Sequence, residues 1–224
     1  GVRAQGSTAK VELEDLNVTT TANMSRAIFA NMGGRIAARN VVINGTGQQA
    51  FGVNTQGAGT SVTLAAVRAN MSGLVSRGLY AQDGSSITAD YANIATSGSN
   101  SGALAATNAS AVVTVNGGRL SSSDNGSAVL RLYNATDAGV NNPVININNV
   151  QADGISGGRF IRSDGFSTVN AVNSVVTGNV MANALASGGL LTFNMDNTEL
   201  TGTIATDGTA KVDLTMDNSL WNIT

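Results

Sequence analysis

Apolar residues in this chain recur in short alternating runs, and each run follows a cluster of Gly, Ser, Asp or Asn. The first apolar residues of nine such runs are Val11, Ile36, Val62, Ile87, Val113, Ile145, Val169, Leu191 and Val212, at intervals of 25, 26, 25, 26, 32, 24, 22 and 21. Alternation at period two predicts strands with one buried face. A restart every 21 to 32 residues predicts a solenoid, in which no unit buries its apolar face alone and each stacks on the next. One circuit is legible from Gly78: Gly78-Leu79-Tyr80-Ala81 is a strand, Asp83-Gly84-Ser85 a turn, Ile87-Thr88-Ala89 a second strand and Ala92-Asn93-Ile94 a third after a bend. The same order returns at Phe51-Gly52-Val53, at Ala103-Leu104-Ala105 and at Ala184-Leu185-Ala186.

Each strand finds its equivalent about one period on, whereas a sandwich would need tight hairpins between sequence neighbours. The fold expected is therefore all-β, a right-handed parallel β-helix of about nine coils with three short strands per coil, spaced ~4.8 Å apart. Val11, Leu13, Ile36, Val62, Leu64, Ile87, Val113, Val115, Leu191, Phe193, Val212 and Leu214 are expected to face inward. Asn40, Asn70, Asn93, Asn149, Asn173, Asn197 and Asn218 fall near the bends, where Asn tolerates left-handed backbone angles and can bond its equivalent one coil away.

Composition fits a narrow stacked core: 42% of residues are hydrophobic, only 12% charged and 4% aromatic. A net charge of −2 gives no electrostatic footprint for nucleic acid. Residues 1 to 112 carry seven basic and five acidic side chains, residues 113 to 224 five and nine, an unevenness that reads as scatter along a long surface. No cysteine is present, so neither disulfides nor thiolate chemistry are expected, and the absence of histidine removes the commonest general base and metal ligand. No apolar stretch approaches the ~20 residues needed to span a bilayer.

Two features interrupt the repeat. The 32-residue interval contains a polar excursion from Tyr133 to the single proline, Pro143. Loops leaving a rigid scaffold commonly bind partners, so Tyr133, Asn134, Thr136, Asp137, Asn141 and Asn142 are candidate partner-binding residues. Gly1 enters in mid-coil and Trp221-Asn222-Ile223-Thr224 ends without a polar cap, so residues 1 to 224 are expected to be one β-helix segment of a longer chain.

The Gly/Ser/Thr/Asn-rich coils, and especially Val212-Asp213-Leu214-Thr215-Met216-Asp217-Asn218-Ser219-Leu220-Trp221-Asn222-Ile223-Thr224, resemble passenger domains of pertactin-like bacterial autotransporters. That family carries an alternating strand followed by Asn-Ser-x-Trp-x-x-Thr near the C-terminal end of the passenger. The resemblance implies display on, or release from, the outer surface of a Gram-negative cell by type V secretion. It also implies adhesion or aggregation through a host-cell protein, a glycan or another copy of the chain, with no cofactor. The Arg-Gly-Asp tripeptide of some relatives is missing, the nearest string being Arg77-Gly78-Leu79. Two alternatives stay open: a polysaccharide lyase or hydrolase on the same fold, and the inert stem of a protease passenger.

Catalytic chemistry would need carboxylates clustered on neighbouring coils. Asp83, Asp164 and Asp207 each precede Gly at equivalent turns but lie in separated coils, so turn formation accounts for them. Asp196, Glu199, Asp213 and Asp217 are expected to form a solvated acidic face. Arg26, Arg35, Arg39, Arg68 and Arg77 either scatter over the surface or form a shallow face for an anionic glycan, with scatter the expectation.

Overall fold

A computed structural model describes residues 1–136, 141–154 and 158–224. The described chain is a stack of parallel strands without helix, a β-solenoid of about 9 turns. No helix of it is long and apolar enough to cross a membrane. Each coil has two faces. A short-strand face is built from strands such as Arg26–Asn31, Phe51–Gln56, Arg77–Gln82, Gly102–Thr107 and Ala128–Asn134. A long-strand face is built from strands such as Arg35–Gly45, Ser61–Met71, Ser86–Thr96, Val112–Ser122 and Val144–Gly154.

The long strands contain the second and third strands read from the sequence, joined by one left-handed residue. That bend falls at Asp15, Asn40, Ala66, Tyr91, Gly117, Asn149, Asn173, Asn197 and Asn218, all with positive φ. Asn fills five of these slots, as expected from its tolerance of that region. Asn70 and Asn93 do not; they stand outward on the third strand, where Asn70 donates to Asn44 Oδ1 at 3.3 Å. The expected coil-to-coil amide bonds are present at the bend itself, from Asn40 to Asp15 at 2.9 Å and from Asn197 to Asn173 at 2.8 Å.

Apolar columns fill the interior. Ile36, Val62, Ile87, Val113, Ile145 and Val169 are paired coil to coil and no more than 2% exposed. A second column, Ile43, Ala69, Ile94, Leu120, Ala152, Val176 and Leu200, ends on Trp221, whose Nε1 donates to Gly202 O at 2.8 Å. Val11, Leu13, Val212 and Leu214 also face inward but remain partly exposed because they close the two ends of the stack. Met216 faces the same way and is 39% exposed for the same reason.

One register differs from the sequence pattern. Val169 pairs with Phe193 and Phe193 with Leu214, so Leu191 and Val212 are equivalents of Ser167, not of Val169. In earlier coils that slot holds Thr60, Ser85 and Ala111, all buried, and the hydroxyls are bonded inside, as in Ser163 Oγ with Ser167 Oγ at 2.7 Å and Thr55 Oγ1 with Ser85 Oγ at 2.8 Å. A small residue, a hydroxyl-bearing one in three coils, thus occupies the first inward slot until the last two coils replace it with Leu and Val.

The turn from long to short strand is set by close backbone approach. A Cβ on Gly73 would stand 1.8 Å from Gly47 O, one on Gly98 1.9 Å from Gly73 O, and one on Gly47 2.0 Å from Ala22 O. Buried Ser101 then stitches three coils, accepting from Ser76 N at 3.1 Å, donating to Gly73 O at 3.1 Å, and sending its own N–H to Ser127 Oγ at 2.9 Å. Gly73→Ala is expected to destabilise by about 3 kcal/mol or more, since backbone cannot yield to overpacking. Gly59→Ala, where φ is +74° and nothing lies within 4 Å of the added methyl, is expected to cost only the left-handed strain of about 1–2 kcal/mol. Urea unfolding midpoints of the two variants measure the contrast.

Candidate ligand groove on the short-strand face

On the short-strand face the outward side chains are spaced three and then two residues apart, as at Arg77, Tyr80 and Gln82, and pairing lines these into three columns. Arg26, Phe51, Arg77, Gly102, Ala128 and Arg159 form one. Arg3, Phe29, Asn54, Tyr80, Ala105, Arg131 and Arg162 form the next. Gln56, Gln82, Thr107, Tyr133, Asp164 and Asn183 belong to the third. Six of the chain's 12 basic residues therefore stand on this one face, against Asp164 and Asp207 as its carboxylates among the described residues. The charge asymmetry runs between faces as well as between halves of the sequence.

The lower part of the face is a packed ladder. Arg26 lies 4.5 Å from the centroid of Phe29 and 5.9 Å from that of Phe51, whose ring sits 5.2 Å from Tyr80. Above it the side chains shorten at Gly102, Ala105 and Ala128, and a groove of about 340 Å³ opens. Its walls are Arg77, Tyr80, Gln82, Thr107, Asn108, Arg131, Tyr133 and Asp164. Arg131 reaches down across Gly102, where an added Cβ would meet its side chain at 3.0 Å. Its Nη1 donates to Asn100 O at 3.0 Å, and it also bonds the Asn100 side-chain oxygen. Arg77 Nη1 donates to the same Asn100 O at 2.8 Å and to Ser76 O at 2.9 Å. Two guanidinium groups thus converge on one carbonyl.

Neither has a carboxylate within ion-pair distance among the described residues; the ion pairs are Arg39–Glu14, Arg119–Asp153 and Arg162–Asp164. Burial, and then repulsion from Arg131, pushes Arg77 down to about 9. Arg131 is pushed down to about 10, again chiefly by burial, with repulsion from Arg162 added and partial relief from Asp164. Asp164 itself is held by Arg162 Nε at 3.1 Å and by Asn183 Nδ2 at 2.6 Å. Tyr80 Oη is bonded to Thr107 Oγ1 at 3.1 Å, and Tyr133 stands 43% exposed at the rim.

A larger depression of about 510 Å³, lined by Glu12, Glu14, Ala37, Arg39, Thr63 and Ala65, lies on the long-strand face. It offers less chemistry, because Arg39 is already spent on Glu14 at 2.5 Å and, apart from Glu12 and Thr63, the rest of its lining is Leu and Ala.

The residues read as a partner-binding loop divide. Tyr133 and Asn134 are not in a loop but end the strand Ala128–Asn134. Tyr133 faces outward into the groove, whereas Asn134 is 2% exposed, with its amide donating to Asn142 Oδ1 at 3.2 Å and its Oδ1 accepting from Thr136 Oγ1 at 3.3 Å. Asn134 ties down the excursion and does not face a partner. Thr136 and Asn141 are exposed, and Asn141 O accepts from Ser110 N at 2.6 Å. Asp137 lies outside the described residues. The arginines grouped from the sequence also separate: Arg26 and Arg77 share the short-strand face, while Arg35, Arg39 and Arg68 stand on the long-strand face. Arg77 instead meets Arg131, two coils on and in the neighbouring column, which no local pattern signals.

Asp83, Asp164 and Asp207 are not one cluster. Asp83 sits in a turn with φ 54°, bonded by Asn108 Nδ2 at 2.6 Å, and Asn183 lies between Asp164 and Asp207. Asp196 and Asp217 do stack in register on an exposed face, with Glu199 bonded by Asn222 at 2.8 Å. Among the described residues no three His, Cys, Asp or Glu side chains form a group that could hold a metal ion. No family model matches the chain, and neither does any curated protein or solved structure.

The groove arginines should weaken the fold. Arg77→Met keeps the aliphatic stem and removes an unpaired buried charge; Ser76 O retains its bond from Gly102 N at 3.0 Å and Asn100 O its bond from Arg131. Stability is expected to rise by about 1–3 kcal/mol near neutral pH. Because the folded group titrates near 9, well below its unfolded value, the penalty is complete below pH 9 and fades as pH rises above it. Thermal midpoints of wild type and variant should therefore converge toward high pH.

Proposed function

We propose that this chain is a segment of a pertactin-like autotransporter passenger, displayed on a bacterial cell surface as a non-enzymatic adhesive module that contacts its ligand through the short-strand face. The observation that carries this reading is the open groove itself, with two converging guanidiniums that lack a carboxylate partner among the described residues and an aromatic rim, set on strands that are hydrogen-bonded on both sides. Orphan charge held on a rigid scaffold is suited to recognition, since little conformational freedom remains to be lost on binding. The C-terminal Asn218-Ser219-Leu220-Trp221-Asn222-Ile223-Thr224 string supports the family assignment, and its Trp closes the inward column of the last coil.

The partner is taken to be a host-cell surface protein or glycan, with self-association through the polar ladders as the other route to adhesion. Those ladders are real contacts within the chain: Asn146, Asn170 and Asn194 pass bonds of 2.8 Å from coil to coil. An exposed amide already committed along the ladder has little left to offer a second copy, which favours the groove. Beads coated with the 224-residue chain are expected to bind epithelial cells and selected components of a glycan and matrix-protein array, and to show no turnover in lyase and hydrolase assays. Robust turnover would replace this reading by the carbohydrate-active alternative, and beads that bind nothing would remove it.

A further inference from the structure

We propose that the groove is a binding site for a uronic-acid residue of an acidic oligosaccharide, with the sugar carboxylate seated between Arg77 and Arg131. The inference deepens the display reading and rests on it only for the biological setting. Both guanidiniums donate to Asn100 O, at 2.8 and 3.0 Å, so their Nη1 atoms are no farther apart than the two bonds together, and each keeps further N–H groups. Like charges this close, mostly buried and without a carboxylate partner among the described residues, are stabilised by an added anion; burial is also the chief cause of the depressed affinity of both groups for their protons.

The remaining walls fit a sugar better than another anion carrier. Tyr133, outward and 43% exposed, offers a ring face beside the arginines. Gln82, Thr107 and Asn108 present amides and a hydroxyl suited to vicinal hydroxyls, and Asp164 can accept from one more. An extended peptide would bind through free backbone groups, but the strands Arg77–Gln82, Gly102–Thr107 and Ala128–Asn134 are each paired on both sides. A densely sulfated chain would set its charges against Asp164, which lies on the groove wall. A single carboxylate per sugar avoids that repulsion.

Isothermal titration of the full chain tests the site, with a galacturonate trisaccharide as probe. Its methyl-esterified form, a dextran sulfate oligosaccharide, which carries sulfates and no carboxylate, and a poly-glutamate peptide of matched charge serve as the other arms. Saturable binding of the galacturonate with at least tenfold loss on esterification is expected, and at least a further tenfold loss in Arg77→Met, Arg131→Met and Tyr133→Ala. Circular dichroism and thermal midpoints establish that these variants are folded, and the two arginine variants should be no less stable than wild type. Undiminished binding in folded arginine variants, tighter binding of dextran sulfate or poly-glutamate, or no galacturonate binding would each overturn the proposal. The same proteins on beads separate it from the display reading: galacturonate binding without cell attachment sinks the display reading and leaves the site, whereas cell attachment unaffected by the three substitutions sinks the site and leaves the display reading.

Discussion

Backbone pairing between successive coils is the constraint from which the rest of this structure follows. Parallel strands ~4.8 Å apart force each residue to sit above its equivalent, so whatever occupies a slot must tolerate contact with the same slot below. Inward slots are accordingly filled mostly by Val, Ile, Leu and Ala, and Phe160 and Phe193 face each other with centroids 6.1 Å apart. At the turns the same spacing leaves no room for a Cβ, and Gly47, Gly73 and Gly98 follow from it. Burying apolar surface at roughly 25 cal/mol per Å² is additive along such a stack, but only while the period is kept.

That rule also explains why charge becomes conspicuous where it appears. An outward column of arginines one or two coils apart is repulsive unless each finds a partner. Arg39, Arg119 and Arg162 do, with Glu14, Asp153 and Asp164. Arg26 uses the faces of Phe29 and Phe51. Among the described residues Arg77 and Arg131 have only backbone and Asn100 oxygens, and their burial makes the charge costly. A fold that satisfies most positions in its ladders retains this conflict at the place where a groove opens, which is where strain retained for function is expected to lie.

The coil order, the inward residues and most left-handed bends were legible because each is local: alternation marks a strand and Asn marks a bend. Ala66 and Tyr91 hold the same left-handed slot without any such signal, since pairing on both sides imposes the geometry against their own preference. The register of the last two coils was misread because Leu191 and Val212 look like the start of a run, although they fill the slot of Ser167. The excursion after Tyr133 drew attention by breaking the period, yet Asn134 is buried there and Tyr133 serves the neighbouring groove.

By itself the sequence determined that this chain is a parallel β-solenoid, because a repeated apolar phrase can bury its faces only by stacking on itself. Which outward residues meet was decided by tertiary structure alone. Arg77 and Arg131 become neighbours through two counts of residues per coil, through Gly102 leaving a lane for the longer side chain, and through Asn100 turning its carbonyl toward both. None of these is a local property of either arginine, and a shift of one residue in any coil between them would send one guanidinium to the opposite face.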